Sequence, residues 1–576
     1  MTALASVIVA AEKQVTPYFE EIMSKLLACL SSDKDEIIQA KTVIAIGRLA
    51  NAVGKEKFQP YLEPISQQVM NSLKESKLLE VAEAGFSYFA DIAKILKHEF
   101  APLLPTLVPL VIKSCISDDG INIEYKKDEG DIIDLGSDDE EKEMQGMAVN
   151  TASLDERCAA LFAMGSFALS CPKDFLPHMD NCLKALEVIN DFINETVRSQ
   201  AIQTYADLVE GLNLAGYGSD TQPKFIVGLP ATIKLAPDAH KLYYEVVLPL
   251  FVKRIKEDES IEVVGKVLEA LIDLCEHIGP AVIEEGIQGI FEAIKLVLTC
   301  KTVCQSEEEE SEEESEKEGE ENNDEMIIEN VAALIQVIGR ICGESIVGYI
   351  KDICEVLIKY LSPKKSEADW EIAIGIFAEL FNDIPSLIPE YASKILPLCF
   401  KFSTVDDDPL IWNSMYCIGT IAKGSKTIAE TNMNEMLLAL KSGYETAKSQ
   451  EPKDNAVSSI LRLLIIFPDR LPLEIILPAI FNNIPLNGDI RENVNVAKNL
   501  ILLSTEIYRS NTKYLENALM TCVKCIVDED CDVKEEDKVL IGKHLMNMTT
   551  VSEGTLKEIM SKMNSDEINL LKKYII

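Results

Sequence analysis

The chain has 576 residues, too many for one ordinary core, so it is either several domains or a repeat array that extends one core lengthwise. Hydrophobic residues make up 47%, which excludes a disordered chain, and 95 acidic against 55 basic side chains give a formal charge of −40. That balance excludes a protein that tracks nucleic-acid phosphates and points to basic partners.

The chain opens MTALASVIVAAEKQVTPYF, without the basic segment and cleavage site of a signal peptide, and no apolar run approaches the roughly 20 residues that span a bilayer. A soluble, non-secreted protein with no membrane partner is expected. Its 15 cysteines are scattered through apolar stretches such as FALSC and VLPLCF, as reduced thiols pack, and give no disulfide framework.

In chain order, PYFEEIM from Pro17, PYLEPIS from Pro60 and PLLPTLV from Pro102 share a shape and lie 43 and 42 residues apart. That period is typical of two-helix HEAT or armadillo units. The next copy, PHMDNCL from Pro177, is delayed by about the length of the acidic stretch 117–150; later copies fall at Pro249, Pro397 and Pro478. Proline early in a helix loses little and deeper in it bends the helix, so these segments are assigned to outer helices. Between them lie second helices with a 3.6-residue apolar stripe, such as Ile327, Val331, Leu334, Ile338 and Ile341, expected on the inner curve. Gly54 and Gly424 mark helix ends. Alternating strand patterns are absent.

The predicted fold is therefore all-α: a HEAT-repeat α-solenoid, a right-handed superhelix of antiparallel helix pairs, with roughly a dozen repeats and two acidic insertions. Its expected divisions are repeats over 1–116 with an incomplete amino end, an acidic insertion over 117–150, repeats over 151–304, a glutamate-rich insertion over 305–325, and carboxy-terminal repeats over 326–576. The first insertion carries 12 acidic and 3 basic side chains and the second 13 and 1, so about half of the net charge sits on two loops. Like charges and the lack of an apolar stripe predict that 305–325 stays unfolded between helices. A solvated tether and a binder of basic protein are both open readings of such a run.

Catalytic chemistry is not evident. His98, His178, His240, His277 and His544 lie far apart in sequence, and a solenoid keeps them apart in space. GRLANAVGK has six residues between its glycines where a phosphate loop has four, and GESIVG at 343–348 lacks the spacing of a nucleophile elbow. Cys522, Cys525 and Cys531 with His544 resemble a metal set, but CVKC lies in a helical apolar pattern and offers one half-site, so buried thiols are expected instead. No enzyme activity, metal or cofactor is expected.

Taken with the two acidic insertions, the segments KTVCQSEEEESEEE, IGIFAELFNDIP, DDDPLIWNSMYCIGTIAKG, DNAVSSILRLL and NIPLNGDIRENV resemble the carboxy-terminal half to two-thirds of an importin-β superfamily nuclear transport receptor, in the importin-4 (karyopherin-123) branch. The resemblance implies import of basic cargo such as histones and ribosomal proteins, release by the Ran GTPase in its GTP form, contact with phenylalanine-glycine nucleoporins, no direct nucleic-acid binding, and shuttling between cytoplasm and nucleus. Family members are nearly twice as long, so a fragment or a short relative lacking the principal Ran site is expected. An acidic HEAT-repeat histone chaperone or assembly scaffold is the alternative. Cargo positions implied by the match are Asp369, Glu379, Asp407, Trp412, Asn413, Asn455, Asp489, Glu492, Asn493 and Asn495. Carboxylates suit lysine or arginine, asparagines hold an extended backbone, and an indole face takes a lysine stem; helix capping, interhelical asparagine bonds and core packing are the competing roles.

Overall fold

The computed structural model describes all residues except 33–34, 118–120, 126–143, 306–320, 550–552 and 576. The chain divides into two compact units, Met1–Leu334 and Ile335–Ile576. A leading pair of helices, Thr2–Ala11 and Phe19–Ser32, precedes α1 (Glu36–Val53), α2 (Lys55–Glu75), α3 (Leu79–Leu96), α4 (Leu104–Ile116), α5 (Thr151–Ser170), α6 (Met179–Ile189), α7 (Glu195–Tyr217), α8 (Leu248–Glu257), α9 (Ile261–Ile278), α10 (Ile287–Leu298) and α11 (Glu321–Cys342). These are followed by α12 (Val347–Tyr360), α13 (Glu367–Asp383), α14 (Ile388–Phe402), α15 (Asp408–Gly424), α16 (Met433–Thr446), α17 (Glu451–Ile466), α18 (Leu473–Phe481), α19 (Asn493–Leu500), α20 (Thr512–Val527) and α21 (Glu535–Thr549).

In the first unit α1, α3, α5, α7 and α9 pack in succession, and in the second α13, α15, α17 and α19 do the same, with the even-numbered helices layered on them. Local sequence accounts for the two layers. Six helices of the odd layer begin at a side-chain cap: Asp35, Asn150, Asn194, Ser260, Ser366 and Asp407 each accept a first-turn backbone N–H, which satisfies donors the helix cannot. Several even-layer helices are instead entered through short 3₁₀ turns, as at Lys97–Leu103, Leu176–His178 and Pro385–Leu387, where a proline loses no needed hydrogen bond. Gly54 ends α1 at φ 81°, so GRLANAVGK is a helix end.

The repeat register appears in the polar contacts. Lys41 meets Glu83, Arg48 meets Asp91 and Lys55 meets Glu99, partners 42, 43 and 44 residues apart at 2.9, 2.8 and 2.5 Å. Beneath them the core is apolar: Phe89, Phe100 and Phe167 form a chain of rings at 6.3 and 5.0 Å, and the stripe Ile327, Val331, Leu334, Ile338 and Ile341 is buried throughout.

Two expectations are corrected. The 117–150 segment contains a pair of antiparallel strands, Ile121–Tyr125 and Met144–Val149, with Ile121 opposite Val149 and an irregularity between Glu124 and Tyr125. INIEY does alternate apolar and polar residues, the period of a strand. Secondly, two helical stretches, Leu79–Ile116 and Asp324–Tyr360, are long and apolar enough to cross a membrane by length and composition. Each is interrupted, by Lys97–Leu103 and by Gly343–Ile346, and Phe86, Phe89, Phe100, Ile338 and Ile353 are buried in the repeat cores. The expectation that 305–325 is unfolded falls largely outside the described residues; at its borders, Gln305 is buried and donates to the carbonyl of Val297 at 3.1 Å, and helical backbone begins at Glu321.

Candidate functional site

On the odd layer of the second unit, polar positions of otherwise apolar helices converge. Glu379 and Asp383 stand one turn apart on α13, Tyr416 and Lys423 on α15, Arg462 on α17, and Glu492 just ahead of α19. The guanidinium of Arg462 lies over the Tyr416 ring, 5.1 Å from its centre, and donates to Glu492 at 2.5 Å. Glu492 also accepts from Ser458 at 2.5 Å and Asn495 at 2.7 Å. The Tyr416 hydroxyl points to Glu379 at 3.5 Å. Burial, with Asp383 and Glu492 adding repulsion, pushes the Glu379 carboxyl up to about 7, and burial raises Asp383 as well. Burial and the neighbouring Arg462 pull the Lys423 ammonium down.

Beside this cluster, the buried Asp454 carboxylate accepts the backbone N–H groups of Asn487, Gly488 and Asp489 at 3.0, 2.7 and 3.1 Å. It thereby folds the 487–489 loop against α17. Burial raises its pKa against the opposing pull of Gln450 and those three N–H donors.

The positions implied by the sequence match separate into two groups. Asn455, Asp489, Glu492 and Asn495 come together: Asn455 donates to Asp489 at 2.7 Å, Asp489 accepts from the Glu492 backbone at 3.2 Å, and Asn495 joins through Glu492. Asn493 is fully buried, and its amide bonds both ways to Leu486 and to the Ile490 carbonyl. Asp369 closes a capping box with Ser366, and Asp407 caps α15 through Leu410. Asn413 bridges to the α13 backbone at Glu371, 3.1 Å away. Trp412 is 38% exposed.

The sequence reading missed Asp383, Asp454 and the cations Arg462 and Lys423; the signal for them is a charged residue recurring at helical spacing within an apolar stripe. It also missed a comparable cluster in the first unit. There Asp207 and Glu210 of α7 face Asp273 and His277 of α9. His277 is 2.9 Å from Glu210, which raises its pKa, and burial pushes Asp207 up to about 7. Of the cysteines and histidine that resembled a metal set, Cys522, Cys525 and Cys531 are buried free thiols, and burial pushes His544 down to about 4. Among the described residues no group of three His, Cys, Asp or Glu side chains is arranged to hold a metal ion.

Stacked helix pairs with polar side chains along one layer define a class of fold, the HEAT-repeat α-solenoid. The fold matches that of Kap121p, in its complex with the SUMO protease Ulp1p at a TM-score of 0.67 and 14% identity, covering 100% of this chain and 55% of that one, and in its RanGTP complex at a TM-score of 0.65 and 14% identity, covering 100% and 52%. A family model described as importin subunit beta-1-like, TPR repeats, matches residues 1–127. In sequence the chain is similar to importin-4 proteins: it is 24% identical over 513 residues to a probable importin subunit beta-4 of Schizosaccharomyces pombe, covering 85% of this chain and 47% of that protein. It is 23% identical over 518 residues to human importin-4, covering 86% and 46%. The chain spans about half the length of these relatives.

Proposed function

We propose that the chain is part of a nuclear import receptor that takes basic cargo, of the histone or ribosomal-protein kind, on the odd-numbered helix layer and gives it up to Ran-GTP, shuttling between cytoplasm and nucleus and touching phenylalanine-glycine nucleoporins on its way. The observation that supports this most is the similarity to human importin-4 over 86% of the chain. The site adds a physical rationale. Glu379 and Asp383 are carboxyls whose ionisation is opposed by burial, and an arriving lysine or arginine supplies the counter-charge that favours the ionised form. The exposed Trp412 side chain could take the aliphatic stem of such a side chain.

The test is fluorescence anisotropy of a labelled lysine-rich histone-tail peptide with the 576-residue chain, with and without Ran-GTP and across a salt series. Binding is expected to weaken steeply with salt, because exposed charges are screened over about 8 Å at 0.15 M, and, in a form extended at its amino end to supply the principal Ran site, to be lost on adding Ran-GTP. In that extended form, binding that ignores Ran-GTP would favour a chaperone or scaffold, and a flat salt response would remove the electrostatic account. Trp412→Ala should weaken the peptide about tenfold, an energy typical of a desolvated cation–π contact, with an unchanged melting temperature.

A further inference from the structure

In the first unit, the end of the leading helix Phe19–Ser32, the start of α1, the end of α2 and the start of α3 leave a cavity of about 310 Å³ between them. A space of that size is unusual in a close-packed repeat core. Small residues account for it: Ala40, Ser72, Ala84 and Gly85 line the cavity where larger side chains would close it. Its floor is aliphatic, from Leu30, Val43, Val69 and Val81, all of them buried.

The mouth is acidic. Exposed Glu36 and Glu75 line it, and the Ser76 hydroxyl at the end of α2 donates to Glu36 at 2.8 Å, which fixes that carboxylate between α1 and α2. Neither glutamate has a cationic partner among the described residues. Apolar surface continues along the chain from the same rim, since Ile37 and Ile38 follow Glu36, Leu78 lies two residues beyond Ser76, and all three are exposed.

We propose that this cavity is a peptide-docking site, taking one leucine-sized side chain of a basic segment onto its floor while lysines or arginines on either side of that residue pair with Glu36 and Glu75. A bulky apolar anchor in a pocket supplies most of the affinity of such contacts, and charges at the rim select the partner. A lysine inserted on its own fits worse, because its ammonium would press against Val43, Val69 and Val81. An apolar residue flanked by neutral ones gains nothing from the two carboxylates. The site belongs to the first unit and stands apart from the cluster of the second, so neither reading depends on the other.

Fluorescence anisotropy with the 576-residue chain compares three labelled peptides at about 0.15 M salt: one leucine between two pairs of lysines, serine in place of that leucine, and leucine between two pairs of glycines. The acidic chain attracts both lysine peptides, so the deciding quantity is the preference for leucine over serine, expected to be about tenfold. Ser72→Phe fills the cavity from its rim and should abolish that preference while leaving the serine peptide's affinity unchanged; Ser72→Ala should keep it. Glu36→Gln with Glu75→Gln should weaken the lysine–leucine peptide, and Trp412→Ala should leave the preference as it is. A diazirine analogue of leucine in the same peptide should label the segments 30–43 and 69–85. Equal affinity for the leucine and serine peptides would overturn the proposal, as would a preference that survives in a Ser72→Phe protein shown by circular dichroism to be folded, or labelling confined to other segments. A glycine-flanked peptide that binds as tightly as the lysine-flanked one would overturn the basic partner.

Discussion

Glu379 shows what a single side chain contributes on this layer. Its carboxyl sits at about 7 in the folded chain against 4.5 for an unstrained glutamate, so the folded state holds the proton more tightly than the unfolded one. The stability this confers is full below about pH 4.5 and is lost as pH rises through about 7. Glu379→Gln, permanently neutral, should match the wild type in urea unfolding at pH 4 and exceed it at pH 8 by about 1–3 kcal/mol. Equal midpoints at both pH values would show that the environment does not oppose the charge. Glu492 behaves differently. It is 5% exposed and tied to Arg462, Ser458 and Asn495, so Glu492→Lys leaves two buried cations facing each other. That change should cost at least the 3–5 kcal/mol typical of a broken buried pair, visible as a large fall in melting temperature. Trp412, rather than Glu492, is therefore the cleaner probe of cargo binding.

Among the elements, the 487–489 loop depends on one carboxylate and one glycine. A Cβ on Gly488 would lie 2.7 Å from the Glu451 backbone nitrogen and 2.8 Å from the Gln450 carbonyl carbon, closer than atoms pack, so only glycine lets the loop reach Asp454. Removing that acceptor in Asp454→Ala leaves three loop N–H groups and Gln450 without it and should cost about 2–4 kcal/mol, read from the urea midpoint, with faster amide exchange at 487–489. No exchange difference would mean that the loop holds its place unaided. Such a loop illustrates what sequence could and could not supply. The helix pairs were legible because a proline recurring every 42–43 residues and a 3.6-residue stripe are local patterns, and the structure adds partners such as Lys41 and Glu83 at the same spacing. The strands over INIEY were passed over because five residues of alternation are a weak signal inside a charged stretch. Arg462 was passed over for a different reason: within SSILRLL it reads as one polar residue on an apolar helix, and its meaning depends on Glu492, 30 residues away. Asp454 likewise reads as the start of a helix, while its partners lie 33 to 35 residues on.

At the scale of the whole molecule the deciding quantity is where the charge lies. The segments 117–150 and 305–325 together hold −21 of the net −40, and the odd-layer cluster of the second unit sets Arg462 and Lys423 beside Glu379, Asp383 and Glu492 rather than presenting acids alone. Two kinds of contribution to binding follow. On the proposed function, charge carried on the two acidic segments would attract a basic cargo at a distance and speed encounter, whereas close contacts such as Trp412 would govern how long the complex lasts. Replacing the glutamates from Glu307 to Glu321 with serine removes eleven of the segment's acidic side chains. Association with a lysine-rich peptide should then slow about tenfold at low salt, with dissociation nearly unchanged and a shallower dependence of the association rate on salt. Trp412→Ala should do the reverse, hastening dissociation while leaving association at the wild-type rate. Stopped-flow fluorescence on the two variants separates these effects. If the serine variant associates as fast as the wild type at low salt, the glutamate run is a solvated tether, and attraction of the cargo must come from the acids on the helices themselves.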